Sequence, residues 1–352
     1  MQNNILYEKI ERQRKELGTA LTIMGHHYQA QEVIYHTDLR GDSLELARKV
    51  KQIESAYIVF CSVYFMAESA ALLARPDQEV HLPEPSSECS MALMSPAPLL
   101  EGILTELGKK GRKIVPLTYV NSTLEVKAVV GQHGGTVCTS ANAKRMLSWA
   151  LEQGDAVLFL PDQNLGHNTA TLLGLPEKDR HVLNISRQGS RLDLQAAEQA
   201  PLLLWPGFCA IHTRFNLRQI QRIRSQKPEA LIVVHPECEP QVVAAADASG
   251  STSFIIDFAA KLPDGAQLVI GTEINLVERL AAQHQGRIEI TPLVESACTH
   301  MAQTTEESLA TALDALLACR ASGGKSAYRV QVAENIKLPA QKALERMLQV
   351  CT

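Results

Sequence analysis

Three times along its 352 residues the chain runs through the same succession: an apolar strand ending in a polar cluster, a serine-bearing turn that opens a helix, a second apolar strand, a helix, and a third strand that delivers a cysteine. The opening strands lie at 21–28 (LTIMGHHY), 114–122 (IVPLTYVNS) and 231–237 (LIVVHPE). The turns are GDSLELARK at 41–49, TSANAKRML at 139–147 and GSTSFIIDF at 250–258, with Ser43, Ser140 and Ser251 in equivalent places. YIVFCSVYFMAE, AVLFLPDQNLG and QLVIGTEINLV form the second strands, and the cysteines are Cys89, Cys209 and Cys298. His26 to Cys89 and His235 to Cys298 both span 63 residues, whereas Asn121 to Cys209 spans 88. The middle repeat therefore carries an insertion, placed at 176–201, where the sequence is polar, turn-rich and expected at the surface.

Apolar strands alternating with helices predict an α/β fold of three homologous units, each a small parallel sheet covered by helices, with polar residues at the strand C-terminal ends. The expected divisions are 1–95, completed by C-terminal helices over 305–352; 96–216, with the insertion; and 217–304. Arranged about a pseudo-threefold axis, such units would direct strand ends, helix N-termini and cysteines at one central site.

Composition excludes several alternatives. With 45% hydrophobic and 20% charged residues and a net charge of -4, the chain reads as an ordinary globular protein with no electrostatic footprint for nucleic acid or an anionic membrane. The N-terminus has no apolar signal-peptide core, which predicts a cytoplasmic protein. The apolar stretch 56–74 approaches the length of a membrane span, but Glu68 interrupts it, and it divides into a β-branched strand (57–63) and a run of helix formers (66–74). Eight cysteines without a CxxC pair argue against a disulfide framework, a zinc ribbon or a clustered ferredoxin motif.

A trio of thiolates at repeat-equivalent places suits three corners of a cubane cluster, with the fourth iron left open as a Lewis acid. Isolated cysteines are usually buried small hydrophobes, and Cys61, Cys138, Cys238, Cys319 and Cys351 fit that description because they break the repeat.

Over nearly its whole length the chain resembles the A-type quinolinate synthases. HHYQ at 26–29, GDSLELARK at 41–49, FMAE at 65–68, YVNST at 119–123, CTSANA at 138–143, PDQNLG at 161–166, GFCAIH at 207–212, HPEC at 235–238, GSTS at 250–253, GTEINLV at 271–277 and ACTHM at 297–301 occur in the family's order. The resemblance implies a transferase that condenses iminoaspartate, supplied by an L-aspartate oxidase, with dihydroxyacetone phosphate. The product is quinolinate, the pyridine ring precursor of NAD, and phosphate and two waters are released. It also implies a 4Fe-4S cluster held by Cys89, Cys209 and Cys298.

The same resemblance assigns His26, Tyr28, Ser43, Tyr119, Asn121, Ser140, His212, His235, Glu237, Ser251 and Thr252 to the substrate site, with Glu237, Tyr28, His26 and His235 as the catalytic group. Glu237 is the expected general acid/base, because condensation, isomerisation and dehydration all move protons. Serines at helix starts can bind anions through the helix terminus, although each could equally be a simple N-cap. His27, adjacent to His26, is expected to be structural, and Asp162 and Asn164 to fix a turn. Phe65 and Met66 are weaker candidates for an apolar wall. An electron carrier is the rival reading from another class, but it would normally complete four protein ligands.

Overall fold

The computed structural model describes residues 2–109, 111–185, 197 and 199–351. Three separate parallel sheets are present. The first is built from β1 (Leu21–His26), β2 (Leu39–Gly41), β3 (Tyr57–Cys61) and β4 (Glu79–His81), in the order β2-β1-β3-β4. The second contains β5 (Ile114–Tyr119), β6 (Thr136–Cys138), β7 (Ala156–Leu160), β8 (Arg180–Val182) and β9 (Leu202–Leu204), in the order β6-β5-β7-β9-β8. The third repeats the first topology with β10 (Leu231–Val234), β11 (Ala248–Ser249), β12 (Gln267–Gly271) and β13 (Glu289–Pro292). The expected three α/β units are therefore present, each with a fourth strand that the sequence did not announce. These extra strands, β2, β6 and β11, are only two or three residues long, too short to show a period.

β5 and β7 are buried at every position, the signature of parallel strands covered on both faces. The 57–74 stretch divides as its composition suggests, into β3 and the helix Tyr64–Leu73. No helix among the described residues is long and apolar enough to cross a membrane. Part of the insertion supplies β8, the fifth strand of the middle sheet, half-buried at its edge. Residues 186–196 and 198 of that insertion lie outside the described residues.

The chain groups into two compact units. One comprises Met1–Cys89, Glu273–Arg279 and Ala297–Ala333. Its core joins Ile10 and Leu17 of the first helix, Ile23 and Val59 of the sheet, and Leu309, Leu313 and Leu316 of the helix Glu306–Ser322. The buried His36 ring ties this packing together, with Nδ1 3.2 Å from Glu11 and Nε2 2.8 Å from Glu306.

The other unit comprises Ser90–Thr272, Leu280–Ser296 and Glu334–Thr352. The last helix, Glu334–Val350, packs here against the helix Leu124–Gln132 and β6, so of the two C-terminal helices Glu306–Ser322 alone joins the first unit. Two glycines of the GQHGG turn explain the docking. A Cβ on Gly131 would lie 1.9 Å from the Pro339 carbonyl oxygen, so only glycine admits this approach. The Gly135 carbonyl accepts from Arg346, and Thr136 Oγ1 donates to the Ala343 carbonyl at 3.2 Å.

Candidate functional site

Strand register shows how the repeat delivers its polar residues. Gly25 pairs with Cys61, Thr118 with Leu160 and Val234 with Gly271, each partner being the last residue of its second strand. His26, Tyr119 and His235 are thus the same position, and Tyr28, Asn121 and Glu237 share the position two residues on. The local turn repeats as well. The Tyr28 N–H donates to His26 Nδ1 at 3.1 Å, and the Glu237 N–H to His235 Nδ1 at 3.4 Å. Each imidazole accepts at Nδ1, so in the neutral ring the proton sits on Nε2.

The helix starts refine the serine equivalence. Asp42 caps the helix Ser43–Val50, accepting from the N–H groups of Leu44 and Glu45 at 3.0 Å, so Ser43 occupies the first helical position and is not the cap. In the third repeat Ser251 is the cap, accepting from Phe254 N at 3.3 Å, and Thr252 is the first helical residue. Thr252, rather than Ser251, corresponds to Ser43. Ser140 lies in the turn before the helix Ala143–Gln153.

The third-strand loops keep register to the residue. Cys89, Cys209 and Cys298 each lie three residues before a 3₁₀ turn, at Ala92–Met94, His212–Arg214 and Met301–Gln303. All three are half-buried, whereas Cys61, Cys138 and Cys238 are fully buried. Burial pushes the Cys61 thiol up to about 12 and the other two well above the ordinary thiol range, which makes them inert. The donor set that fits a thiolate-held cluster is the one repeated at the third-strand ends.

In the first compact unit, His26 is buried and meets the Tyr28 ring edge-on at 4.7 Å. Their loop is latched by the helix Ile274–Gln283. Asn275 Nδ2 donates to the Tyr28 carbonyl at 3.2 Å, and Arg279 donates to the carbonyls of His27 and Gln29. His27 turns instead toward Glu45, 3.8 Å away, in keeping with a structural role. Phe65 and Met66 are buried at the start of their helix.

In the second unit a polar cluster forms around Glu237, which is 2% exposed. His212 Nδ1 lies 2.9 Å from Glu237 Oε2, its Nε2 lies 3.2 Å from Thr272 Oγ1, and its ring stacks on His235 at 4.4 Å. Burial alone would raise the Glu237 carboxyl. The opposing pull of His212 and hydrogen bonds from His212 and Tyr119 outweigh it and hold the group below the usual carboxylate range. Burial, with His212 adding to it, pushes His235 down to about 3, so that ring is neutral near pH 7. An ionised Glu237 requires a proton on His212 Nδ1. The thiolate position of Cys209 and ligand atoms of His212 and Glu237 all lie within 4.8 Å of one another, so the cysteine borders this cluster. Asn121 Oδ1 is buried with no hydrogen-bond partner among the described residues, an acceptor suited to a ligand's N–H or O–H.

The loop carrying Glu237 is itself held. Asn168 Nδ2 donates to the carbonyls of Pro236 and Cys238, both at 2.8 Å, and Asn164 Nδ2 to that of Glu237 at 3.4 Å. Asp162 caps the helix Gln163–Leu172 through Leu165 N at 2.9 Å, which is the turn-fixing role its motif suggests.

A family profile described as "Quinolinate synthetase A protein" matches residues 8–349. The chain belongs to the quinolinate synthase family. A quinolinate synthase of Corynebacterium glutamicum is 42% identical over 98% of this chain and 87% of its own. That of Streptomyces coelicolor is 42% identical over 95% and 86%, and that of Anoxybacillus flavithermus 43% over 97% and 92%.

Sequence reasoning passed over several residues that contact these groups. Thr272 partners His212, Asn275 and Arg279 latch the His26 loop, and Glu273 is a buried carboxylate whose pKa burial raises to about 7. All four lie in or beside the GTEINLV motif. The usable signal was positional: Glu273 stands where the middle repeat has Asp162.

Proposed function

We propose that the chain makes quinolinate from iminoaspartate and dihydroxyacetone phosphate, releasing phosphate and two waters, in the cytoplasm, with the imine supplied by an L-aspartate oxidase. The observation that carries the reading is the Glu237 cluster: a buried carboxylate held ionised by His212 and Tyr119, in a chain that matches the family from residue 8 to residue 349.

In this reading Cys89, Cys209 and Cys298 each supply one thiolate to a 4Fe-4S cluster. When bound, the cluster supplies a Lewis-acidic iron that makes a substrate hydroxyl a better leaving group. The chain's own residues bind and move protons. Ser43, Ser140, Ser251 and Thr252, at helix starts, present hydroxyls and backbone N–H groups to phosphate and carboxylate oxygens. His26 and His235, with Nδ1 already engaged, donate from Nε2. Asn121 Oδ1 accepts from the substrate, and Tyr28 and Tyr119 flank it. Glu237 takes a proton from carbon or oxygen and returns it, with the His212 Nδ1–H stabilising the carboxylate before the first event and after the second.

Anaerobic purification followed by iron and sulfide analysis, with quinolinate assayed from both substrates, tests the proposal. About four irons per chain, lost in Cys89→Ser, Cys209→Ser and Cys298→Ser but kept in Cys61→Ala, together with product, is the expected result. A cluster without product would favour another hydro-lyase. Zinc alone at Cys209, His212 and Glu237 would replace the cluster reading with a mononuclear site.

A further inference from the structure

The residue that follows each second strand by two positions opens the next helix, and the three repeats fill it differently: Val63, Asp162 and Glu273. The two carboxylates are completely or nearly completely buried, an expensive placement that a simple helix cap does not need, since caps are normally solvent-exposed. Both are directed at the cysteine loop of their own repeat. Glu273 Oε1 accepts from the Cys298 N–H at 3.4 Å, and its carboxylate is fixed in turn by the backbone N–H of Asn275 at 2.8 Å and by Asn275 Nδ2 at 3.0 Å.

Asp162 Oδ1 is taken by Leu165 N, while Oδ2 is buried with no hydrogen-bond partner among the described residues; burial and the nearby Glu237 push this carboxyl well up, and the Cys209 N–H is among the backbone donors that pull it back. The chain on either side is zipped together. Gln163 N donates to the Gly207 carbonyl at 2.9 Å and Gly207 N to that of Pro161 at 3.0 Å. A Cβ on Gly207 would sit 2.5 Å from the Pro161 oxygen, so glycine is required for the cysteine loop to lie this close.

We propose that Glu273 and Asp162 are positioning residues for the cluster: Glu273 holds the Cys298 backbone N–H, Asp162 presents its unpartnered oxygen to the loop zipped beside it that carries Cys209, and each so fixes the direction of its thiolate. Val63 can make no such bond. The first cysteine loop is tied by other means, with Ser87 Oγ donating to the carbonyls of Glu84 and Ser62, and Tyr64 N donating to the Ser87 carbonyl. Cys209 and Cys298 are thus the ligands braced from this position, which the first repeat fills with Val63. A brace on the N–H also withholds that donor from the cluster sulfurs, whose hydrogen bonds set the reduction potential. The inference rests on the cluster reading above.

Its test uses Asp162→Ala, Asp162→Asn, Glu273→Ala and Glu273→Gln, reconstituted beside the unaltered chain without oxygen. Loss of the cluster absorbance to a ferrous chelator is timed, the reduction potential is measured, and amide exchange at Cys298 is followed in the cluster-free protein. The alanine variants should lose the cluster roughly tenfold faster or more, at a raised potential, and Glu273→Ala should speed exchange at Cys298. Asn and Gln keep an acceptor oxygen and the helix cap, so those variants should behave like the unaltered chain. Alanine variants that hold the cluster as long as the unaltered chain would overturn the proposal, as would amide variants that lose it as fast as alanine. An unaltered chain that takes up no cluster would instead sink the cluster reading itself, and exchange at Cys298 would still report on the brace.

Discussion

Asn168 offers the cleanest test of how the Glu237 loop is held. Its side-chain amide donates to the carbonyls of Pro236 and Cys238, the residues on either side of Glu237, both at 2.8 Å, and the residue is 4% exposed. Asn168→Ala removes two hydrogen bonds with a net value of about 1 kcal/mol each and leaves two buried acceptors short of a donor, adding roughly 1 to 2 kcal/mol. Alanine's better helix propensity returns about 0.5 kcal/mol, because the position is mid-helix. The expected loss is therefore about 2.5 to 3.5 kcal/mol. Asn168→Asp is nearly isosteric but sets carboxyl oxygens against two carbonyl oxygens, so it should cost more than alanine. Urea unfolding of both variants measures the stability, and quinolinate formation at saturating substrate measures whether Glu237 has moved. If both variants unfold within about 0.5 kcal/mol of the unaltered chain and turn over normally, the loop is held by something other than Asn168.

Glu237→Gln should leave iron content and thermal unfolding close to the unaltered values while lowering quinolinate formation by about 10²-fold or more; near-normal turnover would remove Glu237 from the acid/base role. Gly131→Ala places a methyl against the Pro339 carbonyl and should cost about 2 kcal/mol or more of stability, read as a lower thermal transition, whereas an unchanged transition would mean the last helix docks elsewhere. Glu45 is held down to about 2, chiefly by the neighbouring His27 ring, so its contribution is fully present above the unfolded carboxyl pKa and is lost as pH falls from about 4.5 through 2. Its side chain is 43% exposed, and screening reduces that contribution to about 1 kcal/mol. Glu45→Gln should therefore be less stable by about that amount at pH 7, with the difference shrinking toward zero as the pH is lowered.

Much of this was legible in the sequence because the repeat places chemically active residues at fixed distances from strand ends. The apolar runs that became β1, β5 and β10 marked where His26, Tyr119 and His235 would stand, and the third-strand cysteines separated themselves from the other five by spacing alone. Less legible was anything set by short backbone pairing. β2, β6 and β11 carry too few residues to show a period, yet their register assigns Thr252, rather than Ser251, to the place of Ser43. The docking of the last helix was hidden for a related reason. It depends on Gly131, whose missing side chain signals only a turn until the Pro339 backbone is seen against it.

The distribution of chemistry over equivalent positions carries one further consequence. The pairs at the first-strand ends are His26 and Tyr28, Tyr119 and Asn121, and His235 and Glu237, so only the third contains a carboxylate. Two residues past the second strand, likewise, a buried acid stands in the second and third repeats, where the first has Val63. Oxygen anions of a substrate are best met by groups that donate without exchanging a proton, such as the hydroxyls and N–H groups at the helix starts of all three repeats. Carbon acidity and dehydration need a base and its conjugate acid, and that equipment is concentrated at Glu237 and His212. Phosphate and carboxylate binding should therefore respond to Ser43 and Ser140, chiefly as a raised KM, whereas changes at Glu237 and His212 should lower kcat. If Ser43→Ala and Ser140→Ala instead lowered kcat with KM unchanged, binding and proton transfer would not be divided between these two groups of residues in this way.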